Sequence, residues 1–217
     1  YLNRKDYAMK FADIVIQSFH PVKNITTGEG GAVLTNNKLI YKKVKLLRSH
    51  NIERKSSSWF YDIKSIGYNY RITDIQSALG VSQLAKLNLF LKKRKKIAKV
   101  YNNLFGNNDI LKCPVVRDRC SHAYHLYPIR IDFTKLKISK LTFLKSLLKI
   151  GKNLQLHYKP VHMLTLYKKK FGKKNFKEAE KYYSETLSLP IFFDMTLKQV
   201  NFVAKNLLKI INFHKKD

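Results

Sequence analysis

Ser18-Phe19-His20-Pro21-Val22-Lys23-Asn24-Ile25-Thr26-Thr27-Gly28-Glu29-Gly30-Gly31-Ala32 is the stretch on which the fold turns. A β-rich run, Asp13-Ile14-Val15-Ile16-Gln17-Ser18-Phe19, leads into it, and a second apolar run, Ala32-Val33-Leu34, leaves it. Pro21 and the glycines punctuate the segment between them, so the pattern predicts strand, loop, strand. One lysine, Lys23, rides on that loop, at a sheet edge and partly out of water. An amine held on rigid elements in this way can attack an aldehyde to form a Schiff base. The plainer alternative is a solvated loop lysine, which is common in a chain with 43 Lys and Arg. Gly28-Glu29-Gly30-Gly31 by itself is neither G-x-G-x-x-G nor a P-loop.

Outward from this block the pattern alternates. Asn36-Asn37 opens a helix through Arg48, followed by a polar loop over 49–58 and a turn-like block, Gly67-Tyr68-Asn69-Tyr70-Arg71. Thr73 with Gln76 forms a capping box. It starts a long helical pattern through Leu104, with a break near Asn88, and Gly106-Asn107-Asn108 ends it. A domain boundary is expected there, giving 1–106 and 107–217. Beyond it, 122–131 reads as a strand, Ser139 caps a helix to Ile150, and Gly151 stops it. Leu154 to His157 reads as a short strand, and Phe176 to Leu187 as a helix. Ser188-Leu189-Pro190 is a turn, and Thr196 caps a last helix to Ile211. Asp13 to Phe19 has the look of an interior strand of a parallel sheet. The expected fold class is α/β, a partial large domain followed by a small α+β domain.

Composition narrows the functional classes. At 217 residues with 13 Tyr and 13 Phe, the chain can bury a real core and is not of disordered type. Cys113 and Cys120 could be bridged, but with no C-x-x-C pair they read as free thiols, and no metal site is expected. Charges interrupt the N-terminal segment and no apolar run has the length of a membrane span, so a cytoplasmic protein without a membrane partner is expected. The net charge of +29 suggests anionic partners. The lysines are nevertheless dispersed, and Lys92-Lys93-Arg94-Lys95-Lys96 reads as a solvated helix face. No helix-turn-helix, zinc-finger or RNP motif accompanies them, so no specific nucleic-acid site is expected.

Several blocks, in order, resemble the DegT/StrS family of pyridoxal-phosphate-dependent sugar aminotransferases, of fold type I. They are the lysine loop, Leu47-Arg48-Ser49-His50, Gly67 to Gly80, His125-Leu126-Tyr127-Pro128, His157-Tyr158-Lys159-Pro160-Val161-His162, and Ser188-Leu189-Pro190. The lysine block is most similar to the branch that aminates a 4-keto-6-deoxy nucleotide sugar, as on the pseudaminic acid pathway. The resemblance implies Lys23 as the catalytic, cofactor-bearing lysine and Ser18 as a ligand of the cofactor phosphate. It implies Asn69 as a ligand of the phosphate in a neighbouring subunit, hence a homodimer. His20, His50, Arg71, His157 and His162 are candidate substrate contacts, though each has a packing or surface alternative. Glutamate is the expected amino donor. In the family the lysine lies near mid-chain, so this sequence resembles the C-terminal half to three-fifths of a member. The phosphate loop, the ring that stacks on the cofactor and the aspartate for its pyridine nitrogen would lie in the other part. Asp6 and Asp13 stand too close to Lys23 for that role. The 217 residues alone are therefore expected to be inactive, with an N-terminal half needed as complement. The alternative function is a truncated, non-catalytic dimerisation or polyanion-binding protein.

The dispersed charge makes a first prediction. Nucleic acid should bind with Kd on the order of 10⁻⁴–10⁻⁶ M, without sequence preference and falling steeply with salt. A preference of roughly a thousandfold for one sequence over random sequence at physiological salt would contradict it.

Overall fold

Arg94, Ile97, Ala98, Tyr101 and Phe105 recur at helical spacing, and all five are buried on one stripe of a long helix, α3 (Leu87–Phe105). The computed structural model describes residues 8, 10–54, 59–118, 120–149 and 154–216. They divide into two compact units. The first takes the described residues through Leu89 with Cys120 and Ser121; the second takes Phe90–Asp118 and the described residues from His122 onward. The division falls inside α3, whereas the sequence pattern assigns the whole helix to the first domain. The reason lies in the stripe, whose apolar members belong to the core of the second unit.

In the first unit β1 (Val15–Ser18) pairs antiparallel with β2 (Gly31–Leu34), Val15 opposite Leu34 and Ser18 opposite Gly31. Among the described residues this is a two-stranded hairpin, not the parallel pairing expected for Asp13–Phe19. Asn37 caps α1 (Lys38–Arg48), its Oδ1 accepting from the Leu39 and Ile40 amides at 2.8 and 3.2 Å. The expected polar loop 49–58 instead contains β3 (Ile52–Arg54), paired with β4 (Tyr61–Ile63); residues 55–58 lie outside those described. The Thr73–Gln76 capping box forms and opens α2 (Asp74–Ala85), and the expected break follows it at Lys86.

The second unit holds an antiparallel sheet in the order β5 (Leu111–Lys112), β6 (Tyr127–Ile131), β7 (Thr186–Leu189). Tyr127, Ile129 and Ile131 alternate inward along β6, while every residue of β7 is buried. Around the sheet run α4 (Lys140–Lys149), the short α5 (Thr165–Phe171), α6 (Lys177–Glu185) and α7 (Leu197–His214). Four expectations fail here. The helix from Phe176 ends at Glu185, and Ser188-Leu189 is strand rather than turn, because Thr186–Leu189 pairs with β6. Residues 122–126 are not strand, and Leu154–His157 supplies only a bridge, Gln155 to Ser188. Ser139 does cap α4, its Oγ accepting the Thr142 amide at 3.2 Å; Ile150 and Gly151 fall outside the described residues. Thr196 caps α7 with the expected box.

Arg94 corrects the reading of the 92–96 cluster as a solvated face. It is buried, and its Nη1 donates to the carbonyls of Ile191 at 2.8 Å, Tyr124 at 3.0 Å and His125 at 3.3 Å. Its position three residues before Ile97 places it on the inner stripe; its neighbours in the cluster fall off that stripe. Both cysteines are free thiols, and among the described residues no helix is long and apolar enough to cross a membrane.

Burial in the second unit sets a testable contrast. Leu207→Ala, at a fully buried position on α7, should cost about 2–5 kcal/mol. Leu141→Ala on α4, where the side chain is 63% exposed, should change stability by no more than about 0.5 kcal/mol. Urea denaturation of the two variants checks both.

Candidate functional site

The loop between β1 and β2 is built from its own hydrogen bonds. The Phe19 amide donates to Gly30 O at 2.8 Å, and the Thr27 amide to Phe19 O at 3.0 Å. Thr26 Oγ1 donates to Phe19 O at 2.9 Å, and Thr27 Oγ1 to Glu29 O at 2.6 Å. Within this frame the Lys23 amide closes a turn onto His20 O at 2.9 Å, and the Lys23 side chain is half-buried. Ser18, at the end of β1, is exposed and accepts the His20 amide at 3.4 Å. His20 is exposed; its Nδ1 accepts the Val22 amide and its Nε2 lies 3.8 Å from Glu29 Oε1.

A second segment joins this loop from 47 residues away. Gln76 Oε1 accepts the Thr73 amide at 3.0 Å as half of the capping box, while its Nε2 donates to Glu29 O at 3.1 Å. One side chain thus starts α2 and ties it to the lysine loop. Close packing accompanies the tie, since a Cβ on Gly80 would stand 2.9 Å from Thr27 Cγ2. Sequence reasoning found the cap but not the tie, because nothing in a capping box says what the spare amide donates to.

The third segment is the end of α1. Tyr68 N donates to Leu47 O at 2.7 Å, His50 N to Tyr68 O at 2.8 Å, and Tyr70 N to Arg48 O at 2.9 Å. His50 and Asn51 carry positive φ, 60° and 55°, and a Cβ on Gly67 would overlap their backbone. Asn51 is buried, with Nδ2 donating to Ser65 O at 3.0 Å. Asn69 is exposed and bridges to Ser49; His50 and Arg71 are exposed as well. Tyr68 and Tyr70 stack with ring centroids 4.8 Å apart. They help line a cleft of about 690 Å³ with Lys45, Arg48, Arg71 and Gln76.

Three predicted motifs therefore meet within the first unit: the lysine loop, Arg48-Ser49-His50 and the Gly67–Gly80 block. The chemistry they offer is an amine, a hydroxyl at Ser18, a carboxamide at Asn69 and guanidinium groups at Arg48 and Arg71. By its chemistry that donor set fits an anionic, aldehyde-bearing cofactor, since an amine can take an aldehyde and a hydroxyl can donate to a phosphate. Among the described residues no group of His, Cys, Asp and Glu could hold a metal ion.

His157 and His162 belong to the second unit. His157 Nδ1 lies 2.7 Å from Ser188 Oγ, and His162 Nε2 lies 3.0 Å from Glu180 Oε1.

Comparison with known proteins follows the same lines. Residues 4–208 match the DegT/DnrJ/EryC1/StrS aminotransferase family. The chain is 42% identical over 205 residues to the UDP-4-amino-4,6-dideoxy-N-acetyl-beta-L-altrosamine transaminase of Campylobacter jejuni, covering 94% of this chain and 54% of that protein. Helicobacter pylori PseC, an aminotransferase involved in the biosynthesis of pseudoaminic acid, superposes with a TM-score of 0.87 at 38% identity, over 94% of this chain and 54% of that one. The PLP form of Spr1654 from Streptococcus pneumoniae gives 0.85 at 27% identity, over 95% and 53%. The chain thus spans about half the length of the relatives it matches. The match bears out the expected fold, a partial fold-type-I domain of mixed helix and sheet.

Gln76 gives the sharpest local prediction. Gln76→Ala should lower hydrogen-exchange protection of the Thr27 and Thr73 amides by about tenfold each, roughly 1.4 kcal/mol of local opening. Gln76→Glu keeps the acceptor and loses the donor, so only Thr27 should lose protection. Equal loss at both amides in the glutamate variant would show that the tie and the cap are not separable.

Proposed function

This chain belongs to the DegT/DnrJ/EryC1/StrS aminotransferase family, and we propose that it forms the lysine-bearing part of an enzyme that transfers an amino group from glutamate to a 4-keto-6-deoxy nucleotide sugar. The observation that carries the reading is the half-buried Lys23 on a loop anchored at both ends and tied through Gln76 to the start of α2. The transaminase names of the relatives support the substrate class.

The family's cofactor is pyridoxal phosphate, and it would supply the electron sink for amino-group transfer when bound. Lys23 Nζ would anchor it and, once displaced, would carry the proton at the substrate carbon. Ser18 Oγ would hold its phosphate, and Asn69 the phosphate in the neighbouring subunit of a homodimer. Arg71, with His20 and His50, would face the substrate. The loop's own hydrogen bonds keep the amine in one place before substrate arrives, which lowers the cost of orienting it. A non-catalytic dimerisation or polyanion-binding role is not favoured by membership of the family.

The relatives are about twice as long, and the remaining part of the fold would complete the site, whether it lies on the same polypeptide or another. With that part supplied, borohydride reduction in the presence of pyridoxal phosphate should label Lys23. Lys23→Ala should lose the label and reduce turnover to below about 10⁻³ of the unsubstituted protein. The 217-residue chain by itself should show no turnover with glutamate and a UDP-4-keto sugar. Labelling of another lysine in Lys23→Ala, with activity retained, would overturn the assignment.

A further inference from the structure

Residues 164–179 form an unbroken exposed stretch of the second unit. It holds α5, none of whose residues is buried, the Gly172 turn at φ 72° that ends the helix, and the start of α6. Six lysines fall within ten residues of it: Lys168, Lys169, Lys170, Lys173, Lys174 and Lys177. No Asp or Glu stands between Asp132 and Glu178 in the chain. Of the two carboxylates that follow, Glu178 is exposed, and Glu180 is taken up by His162 Nε2 at 3.0 Å and the Phe176 amide at 3.3 Å.

Apolar side chains stand among these lysines. Leu166 is 69% exposed and Phe171 55%, and Leu164, Tyr167 and Phe176 are exposed as well. Tyr167 and Phe171 stack with ring centroids 6.2 Å apart. With Val161, Phe176 and Lys174 they line one cleft of about 450 Å³. Lys170 Nζ lies 5.4 Å from the Phe171 ring centroid, so a cationic head and an apolar ring sit side by side.

That pairing fits one class of partner. Leucine and phenylalanine in water cost free energy that a purely electrostatic partner does not recover. An anionic bilayer surface recovers it, because its phosphates meet the amines while rings and aliphatic chains enter the boundary between headgroups and acyl chains. Nucleic acid fits less well. It offers stacking to the rings but nothing to Leu164 and Leu166, and base readout favours Arg, which this stretch lacks.

We propose that residues 164–177 form a surface anchor for anionic phospholipid, drawn in by the lysines and seated by Leu166 and Phe171. The expectation of no membrane partner rests on span length, and a surface contact needs no spanning helix. The anchor is independent of the amino-transfer reading.

Co-sedimentation with vesicles tests it on the 217-residue chain. At physiological salt the chain should bind phosphatidylcholine vesicles that contain phosphatidylserine about 100-fold more tightly than phosphatidylcholine alone. The triple variant Lys168→Gln, Lys169→Gln, Lys170→Gln should lose about 100-fold of that affinity. Lys92→Gln, Lys96→Gln, Lys99→Gln, which removes the same charge from exposed positions of α3, should lose no more than about threefold. Phe171→Ala should lose about tenfold with every lysine in place. Trp59 is the single tryptophan. In a Trp59→Phe, Phe171→Trp variant the emission should therefore shift to the blue on phosphatidylserine vesicles and stay unchanged on poly(U). Equal losses in the two triple variants would mean diffuse attraction by the net charge and would overturn the proposal. So would an emission unmoved by vesicles, or one that answers poly(U) instead and assigns the patch to single-stranded nucleic acid. Vesicle binding that disappears once the remaining part of the fold is supplied would overturn it too, because that part and not lipid would then cover the patch.

Discussion

Apolar burial is divided unequally between the two units, and the rest of the structure follows from that. Every buried apolar side chain among the described residues lies at Ile97 or beyond it. The stripes of α3, α4 and α7 close over β5, β6 and β7 to make one core. Among the described residues of the first unit only Thr27 and Asn51 are buried, and both are polar. That unit is organised by backbone and side-chain hydrogen bonds: the Phe19–Gly30 frame, the lacing of α1 to Tyr68–Tyr70, and the Gln76 tie. Hydrogen bonds give direction, but each adds only about 1 kcal/mol net, whereas a fully buried Leu or Ile adds about 1.5–3 kcal/mol.

Many apolar residues of the first unit are not missing but exposed. Ile16 is 75% exposed and Trp59 94%, and Phe60, Ile66 and Ile75 are similarly open. These side chains therefore add little apolar burial to the first unit. Among the described residues the β1–β2 hairpin pairs with no third strand. The lysine loop stands on that same unit. Its hydrogen bonds fix the backbone that carries the amine.

Much of this was legible from the sequence where a local signal decides the structure. Asn37, Thr73 and Thr196 cap their helices because side-chain oxygen and amide are only two or three residues apart. The β1 and β2 strands stand out by their apolar runs. What escaped depends on partners far along the chain. Thr186–Leu189 continues a helical pattern, yet pairing with β6 makes it a strand. Arg94 looks like its lysine neighbours until the three carbonyls that receive it are in place. Likewise the antiparallel pairing of β1, the Gln76 tie and the Glu180–His162 contact join residues that no spacing rule relates. Of the candidate site residues, Ser18, His20, Lys23, His50, Asn69 and Arg71 all fall in the first unit and His157 and His162 in the second. Motif order gave the list, and only the fold gave that grouping.

Native-state hydrogen exchange of the 217-residue chain tests the unequal division most directly. Amides at Ile129, Leu187 and Leu207 in the second unit should open at free energies at least about 3 kcal/mol above those at Ile16, Val33 and Ser77 in the first. Opening free energies that agree across the two sets to within about 1 kcal/mol would contradict the account, because the first unit would then be stabilised as strongly as the second.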